Sequence, residues 1–79
     1  MYYKVLARYQ APIKQYPASA RIVQILPNEF VVFVEHEAAG VIYSKSYGDF
    51  DSAEKALYRL KVPGTNKYIF WWRTYKYAD

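Results

Sequence analysis

Few side chains in this sequence have the types and spacing that catalysis requires. Glu35, His36 and Glu37 place an imidazole beside two carboxylates, and Asp49 and Asp51 place two more carboxylates close together. Neighbouring side chains of a strand point to opposite faces, so His36 points away from both glutamates and we expect an ordinary sheet residue there. Asp51 is expected to cap a helix and Asp49 to lie in a loop. Because HExxH, GxSxG and glycine-rich phosphate-binding motifs are also missing, we expect no catalytic residue and no enzymatic activity.

Composition points away from metal and cofactor chemistry. The 79 residues include no cysteine and one histidine, so the usual zinc patterns and a disulfide framework are not expected. The sequence lacks an apolar signal-peptide core and any stretch of about 18 apolar residues, which favours a cytoplasmic location. A chain of this length predicts a single domain over residues 1–79, with a modest core.

The side chains best suited to binding are concentrated in the ten-residue run YIFWWRTYKY, which has six aromatic residues and two cations. If this run is a strand, Trp71 and Trp72 point to opposite faces and cannot share one core. We predict that Phe70 and Trp72 face the core, because this arrangement places Thr74 rather than Arg73 beside the buried indole. Trp71 is then the exposed tryptophan.

Charge changes sign twice along the chain. Residues 1–28 carry four cations and no acid, residues 29–54 carry six acids and one cation, and residues 55–79 carry six cations and one acid. The net charge is +4. A surface divided in this way suits a protein partner of mixed charge at least as well as it suits a uniformly negative phosphate backbone.

Period-two alternation and β-branched residues predict four strands, in YYKVLARYQ, SARIVQIL, EFVVFVEHE and VIYSKSY. The proline-containing segment APIKQYPA is predicted to be a loop, and the short AAG turn joins the last two strands in a hairpin. Within the third strand, one face is expected to carry Phe30, Val32 and Val34, and the other Phe33, Glu35 and Glu37.

A helix is predicted over residues 52–61. Asp51 can accept from amides of the first turn while Glu54 reaches back to the Asp51 amide, which is a capping-box pattern. Pro63 and Gly64 are expected to end the segment. The expected apolar stripe consists of Ala53, Ala56, Leu57 and Leu60.

These elements predict an α+β fold: a single-layer antiparallel sheet of four to five strands with one short helix packed on one face, in the order β-β-β-β-α-β. Five strands span roughly 20 Å, whereas a ten-residue helix is about 15 Å long and 10 Å across, so much of the sheet stays uncovered. We expect this uncovered surface to be aromatic and basic, and to bind a partner. The residues expected to contact the partner are Tyr2, Lys4, Arg8, Tyr43, Lys45, Tyr47, Trp71, Arg73 and Tyr75.

Two other interpretations remain open. The tyrosines could serve only the core and the sheet edges, with their hydroxyls in water. A homodimer could also bury the uncovered face, so both a monomer and a homodimer are compatible with the sequence.

The stretch GDFDSAEKALYRLKVPG resembles two families. In the plant AP2-type DNA-binding domain a strand runs into a helix through a similar pattern, matched here by Gly48, Phe50, Asp51, Ser52, Glu54 and Ala56. That resemblance covers about ten residues and implies DNA binding by a sheet. Both tryptophans of this chain follow the helix, whereas the sheet of that family precedes it.

The chain is also similar to small phage-encoded anti-CRISPR proteins of the type I-F class, in overall size, in its first strand and in its helix start. The matching residues are Asp49, Phe50, Asp51, Ser52 and Glu54, followed by Pro63 and Gly64. This resemblance implies a phage protein in the host cytoplasm that binds a CRISPR surveillance complex through a tyrosine-bearing sheet. The chain departs from that pattern by ending in an aromatic strand.

The sequence therefore favours a non-enzymatic inhibitor that blocks a host protein or ribonucleoprotein complex by occlusion. The alternative is a sheet-surface module that binds DNA or single-stranded nucleic acid, since aromatic side chains flanked by cations are typical of such binders.

Overall fold

The computed structural model describes residues 3–78, and Tyr2, one of the predicted contact residues, lies outside them. The elements are β1 (Lys4–Gln10), β2 (Ala18–Leu26), β3 (Glu29–His36), β4 (Gly40–Tyr47), α1 (Phe50–Tyr58) and β5 (Trp72–Lys76). The sheet order is β4-β3-β2-β1-β5, and every neighbouring pair is antiparallel. The predicted α+β fold, an open single-layer sheet with one short helix, is confirmed.

The first four strands form a meander, and the chain then passes from β4 at one edge, through α1, to β5 at the other edge. The predicted hairpin of β3 and β4 is present: residues 37–39 form the turn, and Gly40 follows with φ of 77°. That positive φ suits glycine, which has no Cβ to clash. Val34 pairs with Tyr43 and Glu35 with Val41, so Ile42 is an extra residue on β4.

Helix α1 begins two residues earlier than predicted and ends three residues earlier, so the predicted span of 52–61 is wrong at both ends. The cap is Asp49, whose carboxylate accepts from the Ser52 amide at 2.7 Å, and not Asp51. Asp49 and Asp51 are two residues apart in GDFD, and each is followed three positions later by a residue that can form a hydrogen bond. Either aspartate therefore fits the pattern of a helix cap. Glu54 consequently lies two residues further into the helix than predicted and is available to the sheet.

We call the side of the sheet that packs against α1 the helix face. Its central pairs are Ile22 with Val32 and Ala20 with Val34, and all four side chains are buried. The helix contributes Ala53 and Leu57 to the same apolar cluster. Phe30, Val32 and Val34 thus share this face, as predicted. Further members of the cluster come from β1, the loop after it, the start of β2 and the segment before β5: Ala7, Tyr9, Ala11, Ala18, Ile69 and Trp71.

The segment between α1 and β5 folds back on itself. The Val62 amide donates to the Lys67 carbonyl and the Ile69 amide to the Leu60 carbonyl, both at 2.9 Å. Gly64, with φ of 78°, allows the turn between them. This turn brings the aromatic run to the sheet edge at β1.

The side chain of Gln15 sets the direction of that aromatic run. Its amide nitrogen donates to the Tyr68 carbonyl at 3.0 Å, and its oxygen accepts from the Phe70 amide at 2.9 Å. Phe70 is left outside, 64% exposed, while Trp71 is buried with only 7% exposed. Trp72, at 44%, is the exposed indole. The predicted orientation, with Trp72 buried and Trp71 open, is therefore wrong.

Arg73 explains the reversal. It pairs with buried Tyr9 on the helix face, and its guanidinium lies 3.4 Å from the Glu54 carboxylate. The prediction placed Thr74 rather than Arg73 beside the buried indole, whereas the ion pair with Glu54 lets Arg73 lie on the helix face. A register irregularity then places the Arg8–Tyr75 pair next to the Tyr9–Arg73 pair, leaving Thr74 as an extra residue on β5. Tyr75 and Trp72 consequently share the opposite face.

Candidate interaction face

The side of the sheet away from α1, which we call the open face, is covered by no helix or strand within residues 3–78. Cross-strand pairs order its side chains in rows. One row is apolar and consists of Val5, Val23 and Val31, of which Val23 and Val31 are buried despite the missing second layer. The next row runs across all five strands and contains, from β4 to β5, Ser44, Phe33, Arg21, Arg8 and Tyr75.

Arg21 is already engaged in the middle of that row. Its guanidinium carbon lies 4.7 Å from the centre of the Phe33 ring, and its Nη1 lies 3.6 Å from the Glu35 carboxylate. The stacking and the ion pair hold the guanidinium flat on the sheet. Because both Arg21 and Glu35 are partly exposed, the pair is a weak contributor to stability, but it neutralises one of the cations of the open face.

Arg8 differs from Arg21 although the two are direct cross-strand partners. Like charges placed opposite each other repel, and no ion pair or hydrogen bond to the Arg8 side chain is made within the described residues 3–78. Arg8 pairs on its other side with Tyr75, which is 45% exposed, and neighbouring Gln10 pairs with Trp72. An unneutralised cation therefore lies beside an edge strand that exposes two large aromatic side chains, Tyr75 and Trp72.

The structure brings together only two of the predicted contact residues, Arg8 and Tyr75, on the open face. The placement of the other described contact residues there is wrong. Trp71 is buried and Arg73 is paired with Glu54, for the reasons given above. The β4 residues lie on the helix face, since they pair with buried valines and with Phe30: Tyr43, Lys45 and Tyr47. Lys4 belongs to that side too, opposite Gln24, with its ammonium 4.6 Å from the centre of the Tyr77 ring.

The tyrosines of the helix face are structural. The hydroxyls of Tyr43 and Tyr47 lie 2.6 Å apart, and burial together with this hydrogen bond raises the pKa of Tyr47 to about 12. The Tyr9 hydroxyl donates to the Glu54 carboxylate at 2.6 Å. Burial and then this bond hold the pKa of Tyr9 far above its ordinary value, so the phenol stays protonated at neutral pH.

The side chains of Glu35 and His36 point to opposite faces, as the alternation predicted. Glu35 faces the open side and Arg21, whereas His36 pairs with Ala18 on the helix face and its ring lies 5.0 Å from that of Tyr16. The His36 Nδ1 accepts from the Ala38 amide at 3.1 Å. Within residues 3–78 no group of three His, Asp or Glu side chains is placed to hold a metal ion.

Sequence reasoning missed Trp72, Phe33 and Arg21 as members of the site. Phe33 was correctly expected on the face opposite Val32, and its cross-strand partner Arg21 follows from the register of β2 with β3. Trp72 could not be found from its own segment, because its orientation depends on Gln15.

These features define a class: a single-layer antiparallel α+β protein with one covered and one open sheet face. Comparison with protein-family models, with curated proteins and with solved structures gives no match for the chain. Within residues 3–78, no helix has the length and apolar character needed to cross a membrane.

Proposed function

We propose that this chain is a non-enzymatic binding protein that docks on a protein partner through the open face and acts by occlusion. The observation that carries the proposal is the exposed set of Trp72, Tyr75 and Arg8. Tryptophan, tyrosine and arginine are the residue types enriched at binding hot spots, since they combine large contact area with polar ends. A partner carboxylate placed on Arg8 would neutralise it, while the flanking rings supply apolar contact.

The size and charge of the open face favour a protein partner. Five strands of five to nine residues give a projected area of about 600 Å², to which side-chain relief adds, near the roughly 800 Å² per partner of a standard interface. Its central row carries Arg8 and Arg21, but Glu35 already offsets one of these charges. A face with about one uncompensated cation is poorly suited to a phosphate backbone, whose binding depends on several.

The resemblance to anti-CRISPR proteins makes a CRISPR surveillance complex of type I the first partner to test. The chain would be immobilised and incubated with a bacterial lysate, with and without nuclease. We expect capture of a protein complex that survives nuclease treatment and is lost with Trp72→Ala. Tyr68→Ala is the matched control, because Tyr68 is 57% exposed but lies outside the open face. Recovery of nucleic acid alone, or equal capture by both variants, would refute the proposal.

Nucleic acid is the second candidate, favoured by the direct pairing of Arg8 with Arg21 beside two aromatic rings on which bases can stack. Salt separates the two candidates. A single-strand complex that neutralises two phosphates loses on the order of 25-fold in affinity for each tenfold rise in salt. An aromatic protein interface with one ion pair changes much less.

A further inference from the structure

Strand β4 forms one edge of the sheet, with a single register irregularity at Ile42. It is eight residues long, contains no proline, carries a single charge at Lys45, and pairs with no strand on its outer side within residues 3–78. The opposite edge, β5, is five residues long and carries two cations, Arg73 and Lys76. Natural sheets usually blunt such edges with prolines, charges or covering segments. The outer side of β4 is therefore the better template for adding a strand.

An apolar cleft of about 150 Å³ lies beside this edge. Ile42 and Tyr43 line it from β4, and Leu60, Pro63 and Ile69 line it from the segment after α1. Ile42 itself is 43% exposed at the rim. A cavity of about this size holds a benzene ring in another protein. The cleft thus has room for one large apolar side chain.

Two cations lie close to the cleft. Lys61 belongs to its lining, and Lys45 lies two residues beyond Tyr43 on the same face of β4. Their ammonium groups rest 5.4 Å and 5.7 Å from the ring centres of Tyr68 and Tyr47, and neither makes an ion pair within the described residues. Acidic side chains of a ligand at this edge would meet uncompensated positive charge.

We propose that the β4 edge binds an extended peptide as a sixth strand, with one large apolar side chain in the cleft and an acidic side chain beside Lys45. Residues two apart on a strand share a face and are separated by about 6.7 Å, the spacing from Tyr43 to Lys45. The peptide should therefore carry its apolar and acidic residues with a single residue between them. Main-chain hydrogen bonds supply affinity, and the cleft and Lys45 supply selectivity. This surface is separate from the open face.

The test is selection of binders from a phage-displayed library of random peptides, followed by NMR of the labelled protein with the enriched peptide. We expect enrichment of the apolar-x-acidic spacing and shifts of amides in Gly40–Tyr47. N-methylation of alternate peptide amides should abolish binding when it blocks the side that faces β4. No enrichment, a different spacing, or shifts confined to the open face would overturn the proposal.

Charge reversal provides a matched pair of variants. Lys45→Glu should weaken the selected peptide about three- to fivefold, and exchanging the acid of the peptide for lysine should restore binding to that variant. Lys76→Glu makes the same charge change on β5 and should have no effect. Equal losses in both variants would show that binding follows net charge alone and would refute the proposal. So would a dimer with exchange-protected β4 amides, because a second copy would then occupy the edge.

Discussion

The two adjacent tryptophans should respond in opposite ways to truncation. Trp71 is 93% buried, the complement of its 7% exposure, and a tryptophan side chain hides roughly 150–250 Å². At about 25 cal/mol per Å² this burial gives an upper value of roughly 4–6 kcal/mol, and measured Trp→Ala changes in cores cost about 3–5 kcal/mol. A 79-residue domain has a total free energy of unfolding of about 4–12 kcal/mol. Trp71→Ala should therefore remove a large part of the stability or unfold the protein.

Trp72→Ala should cost only about 1–2 kcal/mol, since nearly half of the side chain is in water and its remaining contacts are with one sheet face. Urea unfolding followed by circular dichroism compares the two variants through their midpoints at a common m-value. Each variant keeps one tryptophan, whose fluorescence reports its environment. The emission should be blue-shifted in Trp72→Ala, which keeps buried Trp71, and red-shifted in Trp71→Ala, which keeps exposed Trp72. Greater destabilisation by Trp72→Ala would refute the assigned orientation.

Trp71→Phe sharpens the same test. The Trp71 Nε1 is buried without a hydrogen-bond partner within the described residues, and an unsatisfied buried donor costs about 1–3 kcal/mol. Phenylalanine removes that donor while it loses some packing. We expect a net change of within about 1–2 kcal/mol, much smaller than for alanine. A loss equal to that of Trp71→Ala would mean that the indole N–H is bonded.

Three further outcomes follow from single contacts. Tyr9→Phe removes the donor to the Glu54 carboxylate and should lower the free energy of unfolding by about 1–2 kcal/mol in urea titration. The Ser52 hydrogen bonds lower the pKa of Asp49, so its contribution is present above the ordinary aspartate pKa and is lost as the pH falls through the lower folded value. Asp49→Asn should keep the cap and remove this acid dependence in thermal unfolding. The raised pKa of Tyr47 contributes stability that is complete below about 10 and is lost as the pH rises through about 12. Tyr43→Phe should shift that titration toward its ordinary value in ultraviolet absorbance.

The elements could be predicted because their signals are local. Alternation, turn residues and a cap spacing all lie within a few residues of the structure they determine, and they gave four strands, the hairpin and one helix. The local sequence does not decide whether Asp49 or Asp51 caps the helix, because each aspartate has a hydrogen-bonding residue three positions later. The choice is settled by Glu54, which contacts Tyr9, a residue 45 positions away, instead of the helix amides.

The residues of the open face could not be predicted from the sequence. The direction of a side chain depends on the register of its strand, and that register depends on contacts with residues far away in the chain. Gln15 orients Phe70 from 55 residues away, and irregular pairing at Thr74 and at Ile42 shifts alternation within β5 and β4. Each one-residue shift in register moves the side chains that follow it to the opposite face of the sheet. Arg8 and Tyr75 were placed correctly, whereas every other described contact residue belongs to the helix face or the core.

The charge pattern of the chain has an internal as well as an external role. Acids of the middle segment neutralise cations of the flanking segments in two pairs, Arg21 with Glu35 and Arg73 with Glu54. Two of the cations outside these pairs lie on the surfaces that we propose for binding, Arg8 on the open face and Lys45 at the β4 edge. The charge pattern, from which we predicted a partner of mixed charge, is thus partly satisfied within the fold.

The two proposed surfaces should act independently. Trp72 lies on β5, four strand spacings or about 19 Å from β4, and faces the side opposite the apolar cleft. Changes more than about 10 Å apart without shared partners combine additively within about 0.5 kcal/mol. Trp72→Ala should therefore leave affinity for a β4-selected peptide unchanged within about twofold, measured by calorimetry, while it abolishes capture through the open face. A parallel loss of both activities would show that one partner spans both surfaces, and the peptide site would then be part of a single larger interface.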